Sequence, residues 1–233
     1  MALSANFNQR KLKERFAMTA SSKAITTAVL CLLCVGGSAG WIYWREFKAP
    51  QHDVELHRRV GEIMAEQTVR VAGASGKIVL IAIPTGGFPE LKSQLDGFRL
   101  KLKTLGQYDL REYELDPKDQ DKYGLGTGLS GRRYVRTANK NLDAAAIVSF
   151  VGAPNLKDEV LVELQKVPKL VAEARTIDHL PRLFSKNLIS VAVASRFNFP
   201  APAPLEPKTA QDRFDKRYQV VAADSIPLLS KPE

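Results

Sequence analysis

The chain has 233 residues with 34 basic and 25 acidic side chains, a net charge of +9 and an isoelectric point near 9.6. Five of the basic groups (Arg10, Lys11, Lys13, Arg15 and Lys23) and one acidic group (Glu14) lie in residues 1–44, so the remainder holds 29 basic and 24 acidic side chains, and this mild excess argues against nucleic-acid binding. The only cysteines are Cys31 and Cys34, which excludes a disulfide framework or thiol catalysis in the rest of the chain.

The first predicted element is residues 24–44, AITTAVLCLLCVGGSAGWIYW, a run of 21 residues without a charged side chain. As a helix it reaches roughly 31 Å, close to the roughly 30 Å of a bilayer's hydrocarbon core. Trp41, Tyr43 and Trp44 fall where an interfacial aromatic belt forms. Val29, Leu30, Leu32, Leu33 and Val35 each favour insertion by roughly 0.3–0.6 kcal/mol, whereas a central Lys or Asp would cost roughly 2.5–3.5 kcal/mol. A secretory signal peptide is the rival reading, with residues 26–35 as its apolar region and Ser38-Ala39-Gly40 as a small-residue cleavage site. The long segment before the apolar run and the aromatic residues after it favour a retained single-pass anchor. The concentrated basic residues Arg10 to Arg15 place residues 1–23 in the cytoplasm, against Arg45, Lys48, Arg58 and Arg59 on the other side. The rest of the chain is then expected outside the inner membrane, in the periplasm. Gly36 and Gly40 form a G-x-x-x-G, which permits close helix approach and a homodimer.

Residues 45–76 are expected to form a juxtamembrane helix and linker. Val54, Val60, Ile63, Met64 and Val69 recur at helical intervals, and Gly73-Ala74-Ser75-Gly76 breaks the pattern. Such a helix can continue as a stalk or pack on the following domain. A stripe that does not sustain three heptads suits packing better.

From residue 77 the pattern alternates strand and helix. Residues 77–83 (KIVLIAI) are a continuous apolar strand, followed by the turn Pro84-Thr85-Gly86-Gly87. Residues 89–105 put Leu91, Leu95, Phe98, Leu102 and Leu105 on one helix face, with Gly106 as a C′ glycine. Residues 108–115 alternate and suit an edge strand, while residues 144–151 (AAAIVSFV) are uninterrupted and suit a central one. A helix is predicted over 156–166, with Leu156, Val160, Leu164 and Val167 buried; strand 169–174, helix 177–185 and strand 188–194 follow. The fold class is α/β, a doubly wound and mainly parallel five-stranded sheet over residues 77–196, in the flavodoxin-like order 2-1-3-4-5. Residues 197–233 form a proline-rich extension with a helical turn at 210–216, an edge strand at 218–222 and a frayed end at 226–233.

The segments KIVLIAIP, Gly97-Phe98 in the first domain helix, LDAAAIVSFVGAP, KLVAEA and LISVAVASR together resemble one lobe of a type I periplasmic binding protein, over about residues 77–196. The resemblance implies extracytoplasmic solute binding at the carboxyl ends of the strands. Such receptors close two lobes over a ligand, and this chain has the length for one.

Two candidate sites follow. In a doubly wound sheet the strand-end loops converge, which brings together Thr85, Gly86, Gly87, Asn155, Arg175, Thr176 and Arg196, with Arg175 and Arg196 as an anion-binding pair. The same arginines are equally accounted for as solvated, or as bonded to Asp116 or to carbonyls of the proline-rich tail. The second candidate is the glycine-rich loop Gly124, Gly126, Gly128 and Gly131, followed by Arg132, Arg133 and Arg136, with Ser130 as N-cap or ligand donor to an anion or a partner. Its place after the second strand speaks against a dinucleotide fingerprint, and a turned loop capping the helix over 132–139 is the plainer account.

Catalysis has no visible set of residues. His179 stands beside Asp178 with no nucleophile, and His52 and His57 lack a third ligand at useful spacing, so neither a metal nor a cofactor is expected. The function read from the sequence is a membrane-anchored, extracytoplasmic, non-catalytic domain that binds a small solute or a protein partner. The alternatives are a scaffold component of a cell-envelope complex and, third, an enzyme of unknown reaction.

Overall fold

An unbroken apolar run makes β1 (Ser75–Ala82) the strand around which the sheet grows, in a computed structural model that describes residues 25–44, 52–116, 129–174, 177–196 and 206–225. The chain divides into two compact units, Met1–Gln51 and His52–Glu233. In the first, helix α1 (Ile25–Ile42) is long and apolar enough to cross a membrane and is exposed along its whole length. The positions where Gly36 and Gly40 would carry a Cβ are open space.

In the second unit β1 pairs in parallel with β2 (Gln107–Glu114) on one side and with β4 (Ala144–Ser149) on the other, with a register shift between Lys77 and Ile78. The sheet continues through β6 (Leu170–Ala174) and β7 (Val191–Ser195), both parallel, to β8 (Tyr218–Ala222), which runs antiparallel to β7. The order β2-β1-β4-β6-β7 is the expected 2-1-3-4-5, and β8 adds the expected edge strand. A separate two-stranded parallel ladder, β3 (Leu129–Ser130) with β5 (Pro154–Asn155), was not anticipated, because two-residue strands carry no periodicity.

Side chains of the central strands alternate between two apolar cores. Ile78, Leu80, Val148, Val171 and Val193 meet helices α2 (Val54–Ala72), α3 (Pro89–Leu105) and α7 (Ala210–Arg217). Val79, Ile81, Ile147, Ala172 and Ala192 meet α4 (Gly131–Asn139), α5 (Asp158–Leu161) and α6 (Leu180–Ser185).

Of the two placements expected for α2, the structure shows packing: Leu56, Val60, Ile63 and Met64 are buried on the sheet face. Asp53 caps the helix by accepting the Leu56 N–H at 3.0 Å. Lys169, just before β6, donates to the Val71 carbonyl at the other end, whereas His52 reaches Ser93 near the start of α3 at 3.2 Å. The amino end of α2 therefore lies at the carboxyl end of the strands.

Three expectations need correction. The helix predicted over 156–166 is a single turn, α5, and Val167 is half exposed rather than buried. Asn139 explains the early stop: its side chain donates to the Glu163 carbonyl at 2.7 Å and accepts the Gln165 N–H at 3.0 Å, taking both groups out of a helical ladder. Gly106 ends α3 in an extended conformation and not in the left-handed one of a C′ glycine. A Cβ there would lie 2.8 Å from the Tyr108 ring, so a larger residue would have to displace that ring. Last, β7 starts at Val191 and not at Leu188; Leu188 and Ile189 are buried in the loop that enters it. Residues 197–205 and 226–233 of the proline-rich extension lie outside the described residues.

Helices α2 and α3 meet backbone to backbone. A Cβ at Gly61 would lie 1.8 Å from the Gln94 carbonyl oxygen, and one at Gly97 would lie 2.3 Å from the Arg58 carbonyl oxygen. Alanine gains roughly 1 kcal/mol over glycine in helix propensity, but forcing these backbones apart costs roughly 1–3 kcal/mol and opens the core beneath. Gly61→Ala and Gly97→Ala are each predicted to lower the denaturant midpoint of the purified protein. Alanine at either position leaving the midpoint unchanged or raised would show that the helices do not approach this closely.

Candidate functional site

The strand order reverses between β1 and β4, and the loops that leave their carboxyl ends frame a crevice in folds of this kind. The Phe150 N–H donates to the Ile81 carbonyl at 3.0 Å and keeps the two strand ends together. After β1 the chain turns through Thr85–Gly87, a 3-10 turn closed by the Phe88 N–H on the Thr85 carbonyl; Gly86 and Gly87 are exposed and Thr85 is partly so. After β4, Ser149 organises the turn, donating through Oγ to the Gly152 carbonyl at 2.7 Å. Gly152 has φ +113°, a conformation that favours glycine.

That turn delivers Asn155 to the β3–β5 ladder, in register with Ser130. A Cβ on Gly131 would lie 2.3 Å from the Asn155 carbonyl oxygen. The structure thus joins two candidates that the sequence kept apart: Ser130 and Gly131, at the end of the glycine-rich loop, sit against Asn155. Ser130 is the N-cap residue of α4, and its side chain makes no capping hydrogen bond. Arg132 is exposed and Arg133 partly exposed on the first turn of α4. Gly124, Gly126 and Gly128 lie outside the described residues, as do Arg175 and Thr176.

Arg196 is placed elsewhere. Its N–H donates to the Arg217 carbonyl at 2.8 Å and its Nε to the Tyr218 carbonyl at 2.9 Å, so it is held at the junction of α7 and β8.

Sequence reasoning missed a polar pair beneath the strand ends. Glu173, in the central strand β6, is 4% exposed, and Gln94 of α3 donates to its Oε1 at 3.4 Å. The available signal was a carboxylate inside an otherwise apolar central strand, where ionisable residues are rarely buried. His57 of α2 lies at the same end: its Nδ1 is shut off from solvent without a hydrogen-bond partner among the described residues, and its ring centroid is 6.2 Å from that of His52. Burial holds the His57 pKa below the ordinary 6.5; Glu90 and Asp53 oppose the shift, while His52 and Arg217 add to it.

No protein-family model matches the sequence, and no curated protein matches it. Among solved structures, an arabinose binding protein from Geobacillus stearothermophilus superposes with a TM-score of 0.50 at 15% identity, over 74% of this chain and 62% of that one. The likeness is one of fold. A glucose-galactose binding protein from the same organism gives a TM-score of 0.49 at 9% identity, over 73% of this chain and 61% of that one. An ABC transporter solute binding protein from Agrobacterium vitis, bound with alpha-D-tagatopyranose, gives 0.49 at 14% identity, over 73% and 57%. The chain spans about three fifths of the length of these binding proteins.

The depressed His57 pKa sets a pH dependence. The unfolded chain binds a proton near pH 6.5 that the folded protein binds only at lower pH, so the contribution to stability is complete above pH 6.5 and is lost as pH falls through and below that value. The denaturant midpoint of the wild type is expected to drop over this range more steeply than that of His57→Gln. Parallel profiles would show that His57 is not desolvated in the folded protein.

Proposed function

We propose that the chain is a single-pass, membrane-anchored extracytoplasmic domain that binds a small solute or a protein partner at the carboxyl ends of its parallel strands and performs no chemistry on it. In this reading residues 1–23 are cytoplasmic, residues 24–44 span the inner membrane and the α/β unit lies in the periplasm. The observation that carries it is the strand-end arrangement of a fold shared with an arabinose binding protein: the Thr85–Gly87 turn and the Asn155 ladder flank the switch between β1 and β4. The Gln94–Glu173 pair lies beneath them. Helix α1 supports the anchor by length and apolarity. Arg132, Arg133, Arg175 and Thr176 are the further residues proposed to meet a ligand or partner there.

A second reading, a scaffold component of a cell-envelope complex, draws on an exposed apolar group. Val162 is 85% exposed and Val167 51% exposed, with Leu142 beside the same turn, where Lys166 donates to its carbonyl. Gly36 and Gly40 on α1 would add a homodimer contact within the membrane.

The test is the melting temperature of the purified protein across a panel of small metabolites, with Asn155→Ala and Glu173→Gln as companions. The proposal expects at least one solute to raise the melting temperature of the wild type, and expects both substitutions to reduce that shift. Indifference to every solute, together with a discrete crosslinked partner in membranes, would move the function to the scaffold reading.

A further inference from the structure

Away from the switch between β1 and β4, helices α2 and α7 and strand β8 enclose a groove of about 430 Å³, lined by Arg59, Glu66, Gln67, Arg196, Asp215 and Gln219 among others. That volume is within the roughly 300–1,000 Å³ typical of small-molecule sites. Its polar groups divide into those already satisfied and those left over. Arg59 donates through Nε to Gln211 at 2.8 Å and through one terminal nitrogen to Glu62 at 3.0 Å and Glu66 at 3.1 Å. Glu66 uses one oxygen, Oε1, for both Arg59 and Lys101, and Asp215 uses Oδ1 for Gln211.

What remains has a definite character. Gln67 Oε1 and Gln219 Nε2 are buried with no hydrogen-bond partner among the described residues, which is a cost to the empty protein. Among the described residues the Arg196 guanidinium spends only Nε, on the Tyr218 carbonyl. The second oxygens of Glu66 and Asp215 lie beyond the contacts described above. The groove thus offers both donors and acceptors, and its two guanidinium groups balance its two carboxylates. An anion entering it would meet Glu66 and Asp215, and a cation would meet Arg59 and Arg196. A hydroxyl both donates and accepts, so adjacent hydroxyls match this lining without introducing a charge.

We propose that this groove is a second ligand site, separate from the strand-end crevice, for a small uncharged polyhydroxylated molecule. Gln67 and Gln219, whose unpaired amide atoms are shut off from solvent in the ligand-free protein and turn toward an entering ligand, are its recognition pair, and Arg196 is its third donor. The proposal does not depend on the strand-end reading, because none of these side chains belongs to the Thr85–Gly87 turn or the Asn155 ladder.

The test uses the full-length protein in a detergent without a sugar headgroup, with D-mannitol and myo-inositol as probes and galacturonate as the anionic control. Binding is followed by calorimetry and by melting temperature for the wild type, Asn155→Ala and the double variant Gln67→Leu/Gln219→Leu. At least one polyol is expected to bind the wild type and Asn155→Ala alike, and the double variant to bind it at least tenfold more weakly. Leucine removes an unmatched amide, so the ligand-free melting temperature of the double variant is expected to equal or exceed that of the wild type. A lower ligand-free value would make the two amides structural and overturn the proposal. So would equal binding by the double variant, tighter binding of galacturonate than of either polyol, or no response to either polyol at millimolar concentration.

Discussion

The α/β unit depends on the close crossing of α2 and α3, where Gly61 and Gly97 let two helix backbones touch. Through that contact a helix that precedes the first strand becomes one layer of the domain. Burial of Leu56, Val60, Ile63 and Met64 stabilises the fold by roughly 1.5–3 kcal/mol per side chain. The ion pairs that join α2 to α7, Arg213 with Asp53 and Glu55, are partly exposed and contribute about 0–1 kcal/mol each. Apolar packing therefore decides where α2 lies, and the charges set how α7 aligns along it.

The placement of α2 has consequences for function. Its amino end brings His52 and His57 to the carboxyl end of the strands, beside the loops that frame the candidate crevice. Its outer flank, with Arg59, Glu66 and Gln67, forms one wall of the groove against α7 and β8. One helix thus borders both candidate binding regions. The Thr209–Asp212 capping box fixes the start of α7, and the stacked rings of Phe214 and Tyr218, 5.7 Å apart, lock its end to β8.

The parts of the fold that were legible in the sequence are those whose signal is local. The apolar run of β1, the five-residue stripe of α3 and the alternation of β2 announced their elements with boundaries within one or two residues. The parts that were not legible depend on distant partners. The stretch after Leu161 has the right periodicity for a helix, yet Asn139, more than twenty residues earlier, captures its backbone. Gly106 ends α3 where the sequence places the stop, but in an extended conformation set by its surroundings and not in the left-handed one. Of the candidate site, Thr85–Gly87 and Asn155 could be placed from topology alone, because strand order dictates which loops meet. The joining of Asn155 to Ser130 and Gly131 needs a two-residue ladder that leaves no pattern in the sequence. Glu173 and Gln94 are separated by 79 positions, and only the packing of α3 on β6 brings them together.

Helix α2 belongs to the cooperative core and is not a stalk leading to it. Native-state hydrogen exchange measures this directly, because amides released only by global unfolding share one free energy of opening. The amides of Val60 to Met64 are expected to exchange with the same high protection as those of Ile78 to Ile81 in β1. Rapid exchange along α2 while β1 and β4 remain protected would contradict it.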